Sequence, residues 1–137
     1  MKQNAIVCDL DNTIIDEAHG NKPIQNVVDF LIQQAQTNKI IIMTARSSDF
    51  GRELALKQLR DLKIPFDQLI TNDKNKDSDE YKYDELKKLM PNYNIVLFID
   101  DLRKNRQAAK KLDIKTKKPE NISHKVLTKT LWSGIFI

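Results

Sequence analysis

Short apolar runs that do not alternate with polar residues limit what this chain can fold into. Residues 40–43 (IIIM) and 95–99 (IVLFI) are apolar at every position. A strand with one face in water alternates apolar and polar residues, whereas a strand covered by helices on both faces does not. Residues 5–8 and 69–70, the latter after Phe66, fit the same interpretation. The chain is therefore predicted to contain four buried strands in a parallel sheet.

The segments between these runs carry apolar residues at helical spacing. The four stripes are Ile24, Val27, Val28, Leu31, Ile32 and Ala35; Phe50, Leu54, Ala55, Leu59 and Leu62; Tyr83, Leu86, Leu89 and Met90; and residues 102–112. Pro23 is placed to open the first helix, and Pro65 and Pro91 close the second and third. Strict alternation of strand and helix predicts an α/β fold with a Rossmann-like, doubly wound parallel sheet and flanking helices.

Length and composition predict one cytoplasmic domain. The 137 residues are enough for one core and too few for two ordinary domains, so residues 1–137 are interpreted as a single domain. No apolar stretch approaches membrane-spanning length, and the N-terminus does not read as a signal peptide, so we expect no membrane partner. The single cysteine, Cys8, fits a reducing compartment and is expected to point into the core. A net charge of +4 favours a polyanionic partner only mildly.

Polar side chains follow three of the four predicted strands. They are Asp9 and Asp11 after the first, Thr44 and Arg46 after the second, and Asp100 and Asp101 after the fourth. The carboxyl ends of parallel strands meet at one edge of a sheet, so we expect these groups to lie together. Clustered carboxylates repel one another and need a compensating cation. Oxygen ligands without a histidine or cysteine cluster favour Mg²⁺.

A magnesium ion held by carboxylates predicts chemistry on a phosphate. The cation and a nearby lysine would let a carboxylate approach phosphorus, and a second carboxyl group would serve as acid and base. Asp9 as the nucleophile and Asp11 as the acid/base suit these roles, because residues i and i+2 of an extended segment share a side whereas Leu10 points away. The competing interpretation is that the aspartates only cap turns and helices.

Four motifs in this order resemble those of the haloacid dehalogenase (HAD) superfamily. The segments AIVCDLDNT, MTAR, DEYKYDEL and VLFIDD supply them through Asp9, Asp11, Thr13, Thr44, Lys82, Asp100 and Asp101. The resemblance implies that Asp9 is the nucleophile and that Asp11 is the general acid/base. The same resemblance implies that Mg²⁺ is held by Asp9, by the backbone carbonyl of Asp11 and by an aspartate of the pair Asp100 and Asp101. It also implies phosphate contacts from Thr13, Thr44, Arg46 and Lys82. Which of Asp100 and Asp101 binds the metal stays open, and Lys74, Lys76 and Lys87 are alternatives to Lys82.

The connections between the motifs leave no room for the cap domain that many such enzymes carry. About ten residues separate Thr13 from Ile24, and the link from Phe66 to Lys82 is also short. An open site suits the end of a large substrate. The segment TARSSDFGRELALKQLRDLKIPFDQLITN resembles the 3′-phosphatase domain of phage-type polynucleotide kinases, in which an arginine at the position of Arg46 supports activity. IDDLRKN resembles the IDDR ending of that domain, with Arg103 displaced by one residue, and no Gly-rich kinase loop is present.

The resulting prediction is a Mg²⁺-dependent phosphomonoester hydrolase that works through an aspartyl-phosphate and removes 3′-phosphates from polynucleotide ends. A phosphatase of small phosphomonoesters such as nucleotides is the alternative enzyme. A non-catalytic module that binds phosphate or nucleic acid is the alternative of another class. Residues 115–137 are a candidate for a fifth strand and end in the apolar segment LWSGIFI.

Overall fold

A five-stranded parallel sheet forms the centre of the protein. The computed structural model describes residues 2–123. Its strands are β1 (Gln3–Cys8), β2 (Ile15–Asp16), β3 (Lys22–Pro23), β4 (Lys39–Met43), β5 (Gln68–Ile70), β6 (Tyr93–Ile99) and β7 (Thr116–Lys117). The sheet has the order β5-β4-β1-β6-β7, and every neighbouring pair is parallel. The predicted parallel sheet is therefore confirmed.

Four helices connect the strands and cover both faces of the sheet. They are α1 (Gln25–Gln34), α2 (Asp49–Asp61), α3 (Ser78–Leu89) and α4 (Arg103–Lys110). Alternate residues of β1 enter different apolar clusters. Ile6 and Cys8 pack with residues of α1 and α2, whereas Ala5 and Val7 pack with residues of α3 and α4. Burial on both faces explains why apolar and polar residues do not alternate along the strands. Cys8 is fully buried in the core, as predicted.

The helix α2 buries only part of the apolar stripe that the sequence pattern indicated. Phe50 is 78% exposed and Leu54 is 37% exposed, while Ala55 and Leu59 are fully buried. At about 100° per residue, Phe50 and Leu59 lie half a turn apart on opposite sides of the helix, so they cannot share one stripe. The inclusion of Phe50 in the buried stripe was wrong.

The connection from β1 to α1 contains a small hairpin. Strands β2 and β3 pair antiparallel, with Ile15 opposite Pro23, and a single 3₁₀ turn (Glu17–His19) joins them. The chain then turns at Gly20, whose φ of +74° is readily adopted only by glycine. Pro23 therefore belongs to this hairpin, and α1 begins after Ile24. The prediction that Pro23 opens the helix was wrong, because the hairpin pairing extends through it.

Neither predicted insertion point holds a cap domain within residues 2–123. The hairpin occupies the first, and residues 71–77 form a loop at the second, closed by hydrogen bonds between Asn72 and Lys76. Both segments are short, so the carboxyl edge of the sheet stays uncovered by any further described element.

The fifth strand predicted after residue 115 is present as β7. It lies beside β6, with the backbone N–H of Phe98 donating to Lys115 and that of Asp100 donating to Lys117. Residues 124–137, including the LWSGIFI segment, lie outside the described residues. In the portion that is described, no helix combines the length and the apolar composition needed to cross a membrane.

Candidate active site

Asp9 follows β1 directly and lies at the carboxyl edge of the sheet. Its backbone N–H donates to the carbonyl oxygen of Ile99 at 2.9 Å, which continues the pairing between β1 and β6 by one residue. The residue is only 6% exposed. The neighbouring strand β6 ends at Ile99 and is followed by Asp100, so two chain-distant carboxylates emerge side by side at the middle of the sheet.

Lys82 joins these two carboxylates. Its Nζ lies 2.7 Å from Oδ1 of Asp9 and 2.6 Å from Oδ2 of Asp100, and its side chain is 1% exposed. A buried ammonium is stable only when it is paired and hydrogen-bonded, and both conditions hold here. Among the lysines considered from the sequence, Lys76 instead pairs with Asp84 and Lys87 lies over the ring of Tyr83.

Three carboxylates converge beside Lys82. Asp9, Asp100 and Asp101 each offer one oxygen, and these three oxygens lie within 4.8 Å of one another. With all groups ionised, three negative charges face one ammonium, which leaves a net charge of −2. An oxygen-only donor set with this excess charge fits a hard divalent cation such as Mg²⁺. Both aspartates after β6 belong to the group, so Asp100 and Asp101 each remain candidates for the metal ligand.

Burial shifts the pKa values of the cluster. Desolvation raises the pKa of Asp9 to about 6, against the opposing attraction of Lys82. Desolvation also raises the pKa of Asp100 and of Asp101 above their ordinary values. Burial alone would lower the pKa of Lys82, but the charges of Asp9 and Asp100 outweigh it and raise that pKa. The lysine is therefore held as a cation, while the carboxyl groups bind protons more tightly than they would in water.

Asp11 lies beside a different cation. Its carboxylate accepts two hydrogen bonds from Arg46, from Nε at 3.0 Å and from Nη2 at 2.6 Å. The same guanidinium donates through Nη1 to the carbonyl oxygen of Gly51 in the first turn of α2, at 3.3 Å. The side chain of Asp11 is outside the three-carboxylate group. The HAD resemblance assigns metal binding to the backbone carbonyl of Asp11, and that ligation stays a prediction.

Thr13 and Thr44 are both fully buried at this edge. The hydroxyl of Thr13 donates to Oδ2 of Asp9 at 3.0 Å and lies 3.4 Å from Oδ1 of Asp101. Thr13 therefore orients the carboxylate of Asp9 in this structure. The hydroxyl of Thr44 accepts a hydrogen bond from the backbone N–H of Arg46 at 3.3 Å. Phosphate contacts by the two threonines stay predictions.

Helix α4 supplies two residues that the sequence analysis missed. The amide Nδ2 of Asn105 donates to both carboxylate oxygens of Asp100 at 3.2 Å, and its Oδ1 accepts from the hydroxyl of Ser78 on α3 at 2.8 Å. Arg106 donates to the backbone carbonyls of Asp100 and Asp101 at 3.0 and 2.9 Å. The sequence analysis had singled out Arg103, which is exposed. The available signal was a pair of polar residues one helical turn after Asp101.

Glu17 in the β2–β3 hairpin is a third missed residue. A hydrogen bond with the carboxyl group of Asp11 raises the pKa of Glu17, and the charge of Asp11 adds to the effect. The hairpin therefore brings an acid to the Asp11–Arg46 pair. No spacing rule in the sequence indicated this contact, because it depends on how the hairpin folds back over the edge of the sheet.

Solved structures with the same fold include chains linked to RNA repair and to phosphatases. Chains from two structures of the Pnkp1/Rnl/Hen1 complex, one of them described as an RNA repair complex, match with TM-scores of 0.71 and 0.73 at 20% identity. These matches cover 85% of this chain but only 42% and 46% of the other chains, so this chain spans less than half of their length. The core domain of a protein from Streptococcus pneumoniae, provisionally assigned as a phosphoglycolate phosphatase, matches with a TM-score of 0.55 at 18% identity. That match covers 86% of this chain and 80% of the other.

These likenesses confirm the HAD-like fold that the sequence motifs predict, and at such low identity they show the fold alone. None of the curated proteins compared with the chain matches it. Residues 1–122 match a family described as protein of unknown function (DUF2608), which covers most of the chain. The protein is therefore a member of the DUF2608 family.

Proposed function

We propose that this protein is a Mg²⁺-dependent phosphomonoester hydrolase that works through an aspartyl-phosphate on Asp9. The observation that carries the proposal is the buried bridge of Lys82 between Asp9 and Asp100, with Asp101 beside it. Buried, unbalanced carboxylates at the carboxyl edge of a parallel sheet are costly for stability, so their retention favours a chemical role. The HAD-like fold of the chain is consistent with this role.

Asp9, Asp100 and Asp101 are the residues that would hold the magnesium ion. When bound, the ion supplies positive charge that offsets the negative charge of the phosphoryl group and of the cluster. Lys82 contributes a second positive charge at a fixed position, because its two ion pairs hold Nζ in place. Thr13 holds the other oxygen of Asp9, so the nucleophile has one preferred orientation.

In the first proposed step, a carboxylate oxygen of Asp9 attacks phosphorus. The bond between phosphorus and the ester oxygen breaks, and that oxygen leaves with a proton from Asp11. The product is an aspartyl-phosphate on Asp9. In the second step, a water molecule attacks the same phosphorus and gives its proton to Asp11. The bond from phosphorus to Asp9 breaks, which releases inorganic phosphate and restores both aspartates.

Arg46 links substrate binding to the availability of Asp11. The guanidinium of Arg46 donates hydrogen bonds to both carboxylate oxygens of Asp11. A phosphate dianion is a strong ligand for the same fork of N–H groups. We therefore propose that phosphate binding draws Arg46 away from Asp11 and leaves that carboxyl group free to exchange a proton.

The proposed substrates are 3′-phosphates at polynucleotide ends. Two observations support this class: within residues 2–123 only the short β2–β3 hairpin and the loop at residues 71–77 occupy the two cap insertion points, and structures of the Pnkp1/Rnl/Hen1 complex share the fold. An uncovered site can accept the end of a long chain. The sequence between residues 44 and 72 also resembles the corresponding segment of phage-type 3′-phosphatase domains.

Phosphate release from p-nitrophenyl phosphate tests the reaction class. We expect release that depends on Mg²⁺ and stops with EDTA, and a loss of at least about 10³-fold in Asp9→Asn because the nucleophile is removed. Rapid acid quench of the enzyme with ³²P-labelled substrate should trap label on the wild type and none on Asp9→Asn. Equal activity of the two proteins would contradict the proposal.

A substrate panel tests the specificity. Oligonucleotides with a 3′-phosphate, the same oligonucleotides with a 5′-phosphate and free nucleotides are compared by kcat/KM. We expect the 3′-phosphorylated oligonucleotides to be preferred. If free nucleotides are hydrolysed as fast, the enzyme is a phosphatase of small phosphomonoesters instead.

A further inference from the structure

The positive charge of the chain is concentrated in one continuous segment. Residues 102–118 contain eight lysines or arginines and one acid, a net charge of +7, whereas the rest of the sequence has a net charge of −3. This segment comprises α4, the loop after it and the edge strand β7. The overall charge of +4 is modest because the net negative charge of the other residues partly offsets this strongly basic segment.

Part of this segment lies at the same edge of the sheet as Asp100 and Asp101. Arg103 and Lys104 begin α4 directly after Leu102, the residue that follows Asp101. Strand β7 runs parallel to β6, so its carboxyl end lies at the same edge. The backbone N–H of Asp100 donates to the carbonyl oxygen of Lys117 at 3.2 Å. We call Arg103, Lys104, Lys117 and Lys118 the basic shelf.

No residue of the basic shelf forms an ion pair with any residue between 2 and 123. Arg103, Lys104 and Lys118 are exposed, and Lys117 is half-buried. Asp79 and Glu80 of α3 line the same groove as Lys104 but form no ion pair with it. The charge of the shelf is therefore available to a ligand from solution.

The opposite side of the site lacks this excess of positive charge. Residues 71–77, the loop that follows β5, contain two acids and two lysines. The backbone N–H of Asn72 donates to the carbonyl oxygen of Arg46, which places the start of this segment at the same carboxyl edge. A polyanion that approaches the site is therefore attracted on the β7 side, whereas the loop on the β5 side adds no net attraction.

We propose that the basic shelf binds the sugar–phosphate backbone of a nucleic-acid strand whose terminal phosphate enters the Asp9 site. This inference rests on the proposed function for the position of the terminal phosphate. A nucleic-acid strand carries one negative charge per nucleotide immediately next to its end, which matches a row of cations beside a phosphate site. Acidic proteins offer no such regular charge at a fixed distance from a phosphomonoester.

Strand binding by the full-length wild type tests the shelf without any need for turnover. The probe is a fluorescent single-stranded dodecamer with a 3′-hydroxyl end, and fluorescence anisotropy is measured over a range of salt concentrations. Lys117→Gln/Lys118→Gln and Arg103→Gln/Lys104→Gln each remove two shelf charges, so one variant still tests the inference if the other fails to fold. Lys2→Gln/Lys57→Gln removes the same net charge from exposed residues elsewhere.

We expect each shelf variant to bind the strand at least about tenfold more weakly than the wild type at about 50 mM salt. The slope of log K against log salt should also become shallower by about 1.4, because two phosphate contacts are lost. The control variant should stay within about twofold of the wild type, because it keeps all four residues of the basic shelf. Equal losses in the shelf and control variants would overturn the inference. A polyglutamate peptide that competes as well as an unlabelled strand would also overturn it.

Turnover separates this inference from the proposed function. For an active enzyme, the ratio of kcat/KM for a 3′-phosphorylated dodecamer to that for a 3′-phosphorylated mononucleotide should fall in the shelf variants. A wild type that binds the strand through the shelf but releases no phosphate supports the shelf and contradicts only the phosphatase proposal.

Discussion

At the scale of single residues, the balance of charge around Lys82 decides the stability of the site. Its ammonium is enclosed by Asp9 and Asp100, and all three side chains are buried. Removal of Lys82 leaves the buried carboxylates of Asp9 and Asp100 without a compensating positive charge. Loss of the lysine destabilises the folded protein by more than the ion pairs stabilise it, because the unpaired carboxylates must still be desolvated.

Lys82→Met should therefore destabilise the metal-free protein at neutral pH by about 3–5 kcal/mol. Urea unfolding in EDTA measures this change, and phosphatase activity should be lost together with it. Lys76→Met removes a solvent-accessible ion pair with Asp84 and should change the stability far less than Lys82→Met does. A Lys82→Met protein as stable as the wild type in EDTA would contradict the charge balance described here.

The raised pKa of Asp9 predicts how stability depends on pH. Its folded-state pKa is about 6, above the ordinary value of 3.8, so the folded protein binds this proton more tightly than the unfolded chain does. The stabilising contribution is complete below about pH 4 and is lost as pH rises through 6. In EDTA, the stability of the wild type relative to Asp9→Asn should therefore fall between pH 4 and about pH 7.

Magnesium should reverse this trend, because the cation competes with the proton for the carboxylate. The rise in Tm caused by Mg²⁺ should be small near pH 5 and larger near pH 7.5 in the wild type. Asp9→Asn should show a smaller rise at the higher pH. A rise that does not depend on pH would contradict metal binding at Asp9.

At the scale of elements, α4 fixes the geometry of the aspartates after β6. Asn105 joins Asp100 to Ser78 on α3, and α3 also carries Lys82. The helices that cover one face of the sheet thus hold both the lysine and its carboxylate partner. A residue that contacts a metal ligand in this way positions the ligand without touching the ion.

Asn105→Ala should weaken the apparent affinity for Mg²⁺ by about 10- to 100-fold, because Asp100 loses the amide that orients it. The measurement is activity as a function of Mg²⁺ concentration, supported by calorimetric titration of the metal. Gln107→Ala, an exposed residue on the same helix, is the control and should leave the affinity unchanged. An unchanged Mg²⁺ affinity in Asn105→Ala would contradict the proposal that Asn105 positions Asp100.

The first turn of α2 holds Arg46 through a glycine. A Cβ at Gly51 would lie 3.1 Å from Oγ of Ser48 and 3.3 Å from Cβ of Arg46. Both distances are short, so Arg46 would have to shift relative to Asp11. The position lies inside a helix, where alanine is otherwise preferred over glycine.

Gly51→Ala should therefore lower kcat/KM by about tenfold, because the guanidinium is misplaced. Its thermal stability should stay close to that of the wild type, since the higher helix propensity of alanine offsets the tight contact. Ser47→Ala, just before the helix and exposed, should change neither quantity. Full activity in Gly51→Ala would show that Arg46 adapts to the added methyl group.

At the scale of the whole molecule, the absence of a cap within residues 2–123 shapes the range of substrates. The hairpin and the loop at residues 71–77 are the segments at the two insertion points. Neither is large enough to enclose a small molecule. A substrate that is itself large would exclude water from the site in place of a cap.

The rate should therefore not fall as the substrate becomes longer. For 3′-phosphorylated oligonucleotides of about 2 to 12 nucleotides, we expect kcat/KM to rise with length and then level off as the contacts along the strand are completed. Steady-state phosphate release across this series is the measurement. A decrease with length would indicate a site that encloses its substrate.

Sequence periodicity and the order of residues along the chain were sufficient to predict the α/β fold and the edge of the sheet where the candidate site lies. The unbroken apolar runs identified the buried strands, because burial on both faces is encoded residue by residue. The order of Asp9, Thr44 and Asp100 along the chain identified the edge at which they meet, because parallel strands place their carboxyl ends together. The helical pattern failed at Phe50, where an apolar residue at plausible spacing lies on the exposed side of α2.

The tertiary structure alone decided which charged groups meet. The sequence favoured Lys82 but left Lys74, Lys76 and Lys87 open, since the choice depends on which side of α3 faces the sheet. The pairing of Asp11 with Arg46 and the contact of Asn105 with Asp100 depend on distances between side chains that local patterns do not encode. The physical reason is that the periodicity of apolar residues reflects how deeply each residue is buried. The electrostatic partners of a residue depend instead on how separate helices and strands pack against one another.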